Sequence, residues 1–496
     1  MASFWFSGLA CWEMEKDGGL HIAVLPWLAL GHLLPCFELS KRIAAKGHRV
    51  SFLSTPRNIR RLLPDVPPRL APLLNLVELP LPRVEHLPDA AEATIDLPSQ
   101  DLRPYLRVAY DALEHPLCEF LEGAHHRLPP VDWIVFDYSP YWVPRVAARF
   151  GVPCAYLGLF SAAALAFHGP PSALIGGDDS RTTPEQFTVP PEWIPFPSTI
   201  AYRGYEAREL FEPGIQKDAS GVSESYRFGA SVGGCQLVAI RSCPDLEPNW
   251  LSLLGNLYQK PVVPLGLLPP SAGEDSLPAD DRSCHGWKGV FEWLDTQQPA
   301  SAVYVAFGSE AKLSCGQVHQ IALGLEQSGL PFVWALRKPS DEPDELKMLP
   351  TGFRERMNGR GIVCVGWLPQ VKILAHPSVA GFFTHGGWNS VVEGLALGRA
   401  FVLLPLMFDQ GLNSRDLVER GIGLEVPRDE ADGTFTGDAI SKTLRLVFAD
   451  ERGETFRAKA REAKSLFGNT ELQDHHLSHF VEYLVDHRRP ARASPK

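Results

Sequence analysis

The feature that most constrains the fold is an alternation of short apolar runs with longer amphipathic stretches, repeated along almost the whole chain. The run HIAVLP (21–26) is nearly all apolar, as a strand covered on both faces must be. The stretch after it, HLLPCFELSKRIAAKG, carries apolar residues at helical spacing and stops at Gly47, a residue suited to a helix C-terminus. Strand, helix, strand in that order builds a parallel sheet with helices on its faces. Further strands are expected at 49–54, 76–80, 133–137 and 152–159, then at 302–309, 331–337, 361–367, 379–385 and 400–405. The two arrays are parted by LPPSAGEDSLPADDRS (268–283), too rich in Pro, Ser, Gly and Asp to pack into a core. At 496 residues, two domains are also what surface-to-volume scaling favours.

The expected organisation is a disordered extension (1–20), an α/β domain (21–267), a linker (268–290) and a second α/β domain (291–468). A helix over 469–488 follows, packing back toward the first domain, and then a disordered tail (489–496). The N-terminal MASFWFSGLACW is apolar but has no basic residue before it, so an extension is expected rather than a signal peptide, with Met14 an alternative start. The irregular region 169–198, with Trp193 and Phe196, is expected to form a lid that packs on something.

Composition narrows the function. A net charge of −11 with mixed signs argues against nucleic-acid binding, which rewards clustered Lys and Arg. No apolar run reaches the length of a membrane span. Nine scattered cysteines without a C-x-x-C pair suggest neither a disulfide framework nor a zinc site, and fit a reducing cytoplasmic setting. A monomer is expected.

Chemistry-bearing residues gather where strands end. VAGFFTH ends a strand, two glycines follow, and WNSVVEGLALG opens a helix. A helix N-terminus presents free N–H groups and the positive end of its dipole, a place for phosphate. That terminus contributes only about 0.3–1 kcal/mol toward an anion, so His385, Asn389 and Ser390 must add hydrogen bonds. Glu393 lies one turn beyond Asn389 on the same helix face, where a carboxylate could accept from two vicinal hydroxyls. Trp367 ends another strand, with Leu368 and Gln370 beside it, and Asp409 and Gln410 follow a third. In the first array, His32 follows the first strand and Asp137 ends WIVFD, at one sheet edge. A carboxylate on one imidazole nitrogen fixes the tautomer and stabilises the imidazolium, the logic of a His–Asp dyad. Asp137 could instead cap the helix expected in SPYWVPRVAARFG.

The segment Trp367–Gln410 reads W-x-P-Q, then H-x-G-W-N-S-x-x-E, then P-x-x-x-D-Q. It resembles the donor-binding box of the plant family 1 UDP-glycosyltransferases, and PWLALGHLLP resembles that family's first-strand motif. The likeness runs from about residue 20 to 488 and is nearest to the flavonoid and terpenoid glycoside branch, some of whose members use UDP-rhamnose. It implies the GT-B fold: α/β, with two Rossmann-like domains whose parallel sheets face across a cleft. It also implies stacking of uracil on Trp367, with Leu368 and Gln370 beside it. Glu393 would hold the ribose, and His385, Asn389, Ser390 and Ser309 the diphosphate. Trp388, Asp409 and Gln410 would hold the sugar, with Gln410 associated with glucose donors. His32 would be the general base and Asp137 its partner. Gly386 stands where many relatives have Cys.

The expected reaction is inverting transfer of a sugar from UDP-sugar to a hydroxyl of a small hydrophobic metabolite, xenobiotic or existing glycoside. UDP-rhamnose as donor and UDP-sugar binding without turnover are the alternatives. No D-x-D pair marks a metal site, so neither metal nor cofactor is expected. Trp142, Phe160, Phe167 and Phe408 are candidates for an apolar acceptor pocket.

Overall fold

A computed structural model describes residues 19–127, 129–176, 179–270, 287–338 and 347–488. Nearly all of the N-terminal extension, including Met14, most of the linker, and the tail lie outside the described residues.

The first sheet holds seven strands: β1 (His21–Leu25), β2 (Arg49–Ser54), β3 (Leu74–Glu78), β4 (Trp133–Phe136), β5 (Cys154–Gly158), β6 (Leu237–Ile240) and β7 (Val262–Pro264). All pair in parallel, in the order β3-β2-β1-β4-β5-β6-β7. The second holds β8 (Ala302–Ala306), β9 (Phe332–Leu336), β10 (Gly361–Val365), β11 (Val379–Thr384), β12 (Ala400–Leu403) and β13 (Gly423–Glu425). It is also parallel, in the order β10-β9-β8-β11-β12-β13. The chain therefore has the α/β GT-B architecture.

Three strands escaped the sequence reading: β6, β7 and β13. β7 and β13 are three residues long, too short to show a period, whereas β6 has four, as β4 and β12 do; β7 ends in Pro264, tolerable only because that strand lies at an edge.

Each sheet reverses its winding once, between β1 and β4 and again between β8 and β11. Such switch points leave a crevice at the strands' carboxyl ends, where open α/β sheets bind ligands. Register puts Leu25 opposite Phe136, so the loops carrying His32 and Asp137 emerge side by side. Thr384 opposite Ala306 does the same for His385 and Ser309.

The helix Thr470–Asp486 crosses back to the first sheet. Its Leu477, Phe480, Val481 and Leu484 share a core with Ile22, Val24 and Trp133. The Trp133 indole donates to the Leu484 carbonyl at 2.8 Å.

The region expected to be a lid is pinned down. It includes a short helix, Pro171–Gly176, and a 3₁₀ turn, Pro184–Thr188. The Arg181 guanidinium donates to the carbonyls of Phe167 and His168 and lies over the rings of Phe187 and Trp193. Trp193 donates to the Ala166 carbonyl, and Phe196 packs on Trp250. This region is a wall of the first domain.

Candidate active site

The two switch points open onto one cavity of about 1080 Å³, lined from both domains.

On the first-domain side, His32 sits in the first turn of the helix Leu30–Ala45. Its Nδ1 lies 2.9 Å from Asp137 Oδ2. Asp137, one residue past β4, is only 1% exposed and also accepts from the main-chain N–H of Trp27 at 2.7 Å and of Ser139 at 3.2 Å. It caps no helix, since the following helix begins at Val143 behind Trp142. With Nδ1 bound to the carboxylate, Nε2 is left as the basic nitrogen. Phe160 and Tyr138 flank the ring at 5.9 and 5.5 Å between centroids.

On the second-domain side, His385 follows β11 and is wedged between glycines. A Cβ on Gly308 or Gly387 would come within 2.6 Å of its Nε2. Burial pushes its pKa down to about 4, so the ring is neutral at physiological pH. Thr384 Oγ1 lies 3.1 Å from Nδ1; with that hydroxyl donating, Nε2–H becomes the free donor. Gly386 adopts φ +81°, and a Cβ there would come within 2.6 Å of the Ser414 hydroxyl, so glycine suits this turn. The helix Trp388–Ala396 starts next, placing Asn389, Ser390 and Glu393 along its first turns.

Gln370 donates to Glu393 Oε2 at 2.6 Å and reaches Ser390 Oγ at 3.4 Å, tying the Trp367 loop to that helix. Burial raises the pKa of Glu393, opposed by the Gln370 bond and by Arg241. Trp367 is half-buried, with the Arg337 guanidinium 4.7 Å from a ring centroid, and Leu368 is buried beside it. Ser309 lines the cavity just after β8. Asp409 accepts from Asn413 Nδ2 at 2.7 Å. Burial raises its pKa, and among the opposing influences is His32, which brings the two halves of the site into electrostatic reach.

Gln410 differs from expectation. Its Oε1 accepts from the N–H groups of Leu406 and Met407 at 2.9 and 3.0 Å. The turn after β12 leaves those donors without strand partners, and the glutamine oxygen satisfies them. Only the amide NH₂ remains for a sugar.

The acceptor candidates divide. Phe160 and Phe408 line the cavity. Phe408 is 37% exposed at φ +53°, with the Arg103 guanidinium 4.6 Å from its ring centroid. Trp142 and Phe167 do not line it. Both are core residues of the first domain: Trp142 bonds Asp111 through its indole, and Phe167 packs edge-on against Tyr202. The cavity instead draws on Tyr138, His168, Tyr202, Phe211 and Phe228, none of which the sequence singled out. Arg241 and Arg337 were missed as well. The strand preceding Arg241 was not recognised, whereas Arg337 ended a recognised strand in PFVWALR. Among the described residues, Cys243, Asp245 and His476 form a cluster of metal-ligating types, but they lie outside the cavity lining.

Comparison with known proteins identifies the family of the chain. The model for UDP-glucoronosyl and UDP-glucosyl transferase matches residues 268–454. UDP-glycosyltransferase 91C1 of Arabidopsis thaliana is 46% identical over 95% of this chain and 97% of its own length. The chain belongs to the plant family 1 UDP-glycosyltransferases. Soyasaponin III rhamnosyltransferase of Glycine max is 39% identical, covering 96% of this UDP-glycosyltransferase and 98% of the soybean protein. Among solved structures, Os79 from O. sativa in complex with UDP aligns with a TM-score of 0.73 at 22% identity, over 93% of this chain and 100% of that one. The enzyme is thus a UDP-glycosyltransferase acting on plant metabolites. Among the described residues, no helix is long and apolar enough to cross a membrane.

Proposed function

We propose that the enzyme moves a sugar from UDP-sugar to a hydroxyl of a small hydrophobic metabolite or existing glycoside, in one inverting displacement without a metal ion. The observation that carries this reading is the His32–Asp137 pair at 2.9 Å, opening onto the cavity lined by the donor box. His32 Nε2 takes the acceptor proton, and Asp137 stabilises the imidazolium that forms. The acceptor oxygen attacks the anomeric carbon as UDP departs from the opposite face. Proton removal of this kind contributes typically about 10²–10⁴-fold to rate.

The donor lies along the second domain. Trp367 stacks on uracil with Leu368 and Gln370 beside it, and Glu393 accepts from the ribose hydroxyls. His385, Ser309, Asn389 and Ser390 donate to the diphosphate. Leaving-group charge is met by these donors and the helix terminus, groups already in place before reaction. Trp388, Asp409 and the Gln410 NH₂ group face the sugar, and Phe160 and Phe408 border the acceptor.

Glucose is the first choice of sugar. Rhamnose is a second reading, favoured by the 39% identity to the soybean rhamnosyltransferase. A donor-by-acceptor screen reading product mass tests both, with UDP-glucose and UDP-rhamnose against paired aglycones and glycosides. A hexose or deoxyhexose mass increment identifies the sugar. UDP binding with no product from any pair would mean a binding protein without turnover.

A further inference from the structure

Arg241 follows β6 in the first domain, yet it holds two residues of the donor box in the second. Its guanidinium is buried, donating from Nε to the Leu267 carbonyl at 2.6 Å and from Nη2 to the Leu268 carbonyl at 3.2 Å. Nη1 donates to Asn389 Oδ1. Its main-chain carbonyl accepts from the Trp388 indole at 3.2 Å. Asn389 in turn donates through Nδ2 to the Gly31 carbonyl at 2.9 Å, one residue before His32.

The logic lies in the carboxamide. It has one acceptor atom and one NH₂ group, and neighbours decide which way each points. A cation on Oδ1 rules out the flipped orientation, which would set N–H against N–H and turn a lone pair toward any phosphate. With Oδ1 held by Arg241, one N–H meets Gly31 and the other is left for the cavity that Asn389 lines. Arginine suits the task because its rigid planar fork holds its three acceptors in one fixed geometry, whereas the donors of an ammonium turn on a flexible stem.

We propose that Arg241 is a positioning residue for transfer, orienting the Asn389 carboxamide toward the donor diphosphate and, through the Asn389–Gly31 bond, registering His32 against the donor. The inference rests on the reading of Asn389 as a diphosphate ligand. It joins the two domains through the residues that do the chemistry, so donor affinity and proton removal share one anchor.

A double-mutant cycle on the full-length enzyme tests it, with the Kd of UDP measured by calorimetry in R241Q, N389A and the double variant. Losing the orienting bond should weaken UDP about tenfold in the wild-type background and less than about twofold once Asn389 is gone. R241K keeps the charge but not the fork and should weaken UDP about threefold, again only when Asn389 is present. If R241Q does not fold, the R241K cycle decides by the same contrast. Equal weakening in both backgrounds would reduce Arg241 to a structural residue and overturn the proposal. So would normal UDP affinity in R241Q beside weakened affinity in N389A. Unchanged affinity in N389A would remove the reading of Asn389 itself, and the proposal with it.

Discussion

The two halves of the site are built in opposite ways. On the second-domain side, one continuous segment from Trp367 to Gln410 passes through two strand ends and three helix starts and supplies most of the expected contacts. On the first-domain side, the lining comes from pieces spread over some two hundred residues, from Trp27 to Phe228. A nucleotide diphosphate is a fixed object, and a fixed spacing of aromatic, imidazole, amide and carboxylate groups matches it. An acceptor pocket needs only shape and apolar surface, which many scattered side chains can provide. The first arrangement leaves a mark in the sequence and the second does not.

Asp137→Asn removes the negative charge that stabilises the His32 imidazolium and turns one acceptor oxygen into an NH₂ donor that can impose the wrong tautomer, so kcat should fall about 10²–10⁴-fold. UDP affinity, read by calorimetry, should not change. A matching loss of UDP binding would mean that the halves are not separable.

Trp142→Ala should act on stability alone. It empties a core site and should cost about 3–5 kcal/mol, seen as a lowered denaturation midpoint. Acceptor preference should stay the same, whereas Phe160→Ala should alter it with little change in midpoint. A shifted acceptor profile in the Trp142 variant would return that residue to the pocket.

Acid should reach both halves through buried histidines. His385 and His168 each have pKa pushed down to about 4 by burial, against 6.5 in the unfolded chain. Between those values the unfolded state binds more protons, so stability is full above pH 6.5 and is lost as pH falls toward 4. The loss is of order 3 kcal/mol per histidine. His168→Gln should remove one share of it, making the stability–pH curve shallower. An unchanged curve would show that His168 is not held neutral.

The smallest effect belongs to Trp367→Ala. Losing one base stack should weaken UDP by about 1–3 kcal/mol, read by calorimetry, with kcat at saturating donor little changed. Undiminished UDP affinity would place the uracil elsewhere.

How far the sequence could be read follows the same division. Ten of the parallel strands announced themselves as apolar runs, while β7 and β13 were too short for any periodicity and β6, as long as β4 and β12, went unrecognised. His32 and Asp137 lie at adjacent strand ends, so a parallel register alone brings them together once β1 and β4 are neighbours. Trp142 and Phe167 failed as candidates because an aromatic near a strand end looks the same whether it faces a cavity or the core. Gln410 lines the cavity but is turned unexpectedly, since the backbone donors of Leu406 and Met407 carry no sequence signal. Arg241 matters only through contacts with a segment nearly 150 residues away, which no local pattern encodes.

The proposed reaction divides the labour between the domains: the second holds the donor, and the first removes the acceptor proton. His32→Ala tests it most directly, with UDP affinity by calorimetry and sugar transfer by product mass measured on the same preparation. The account predicts wild-type UDP affinity with transfer reduced at least about a hundredfold. Transfer near the wild-type rate would contradict it.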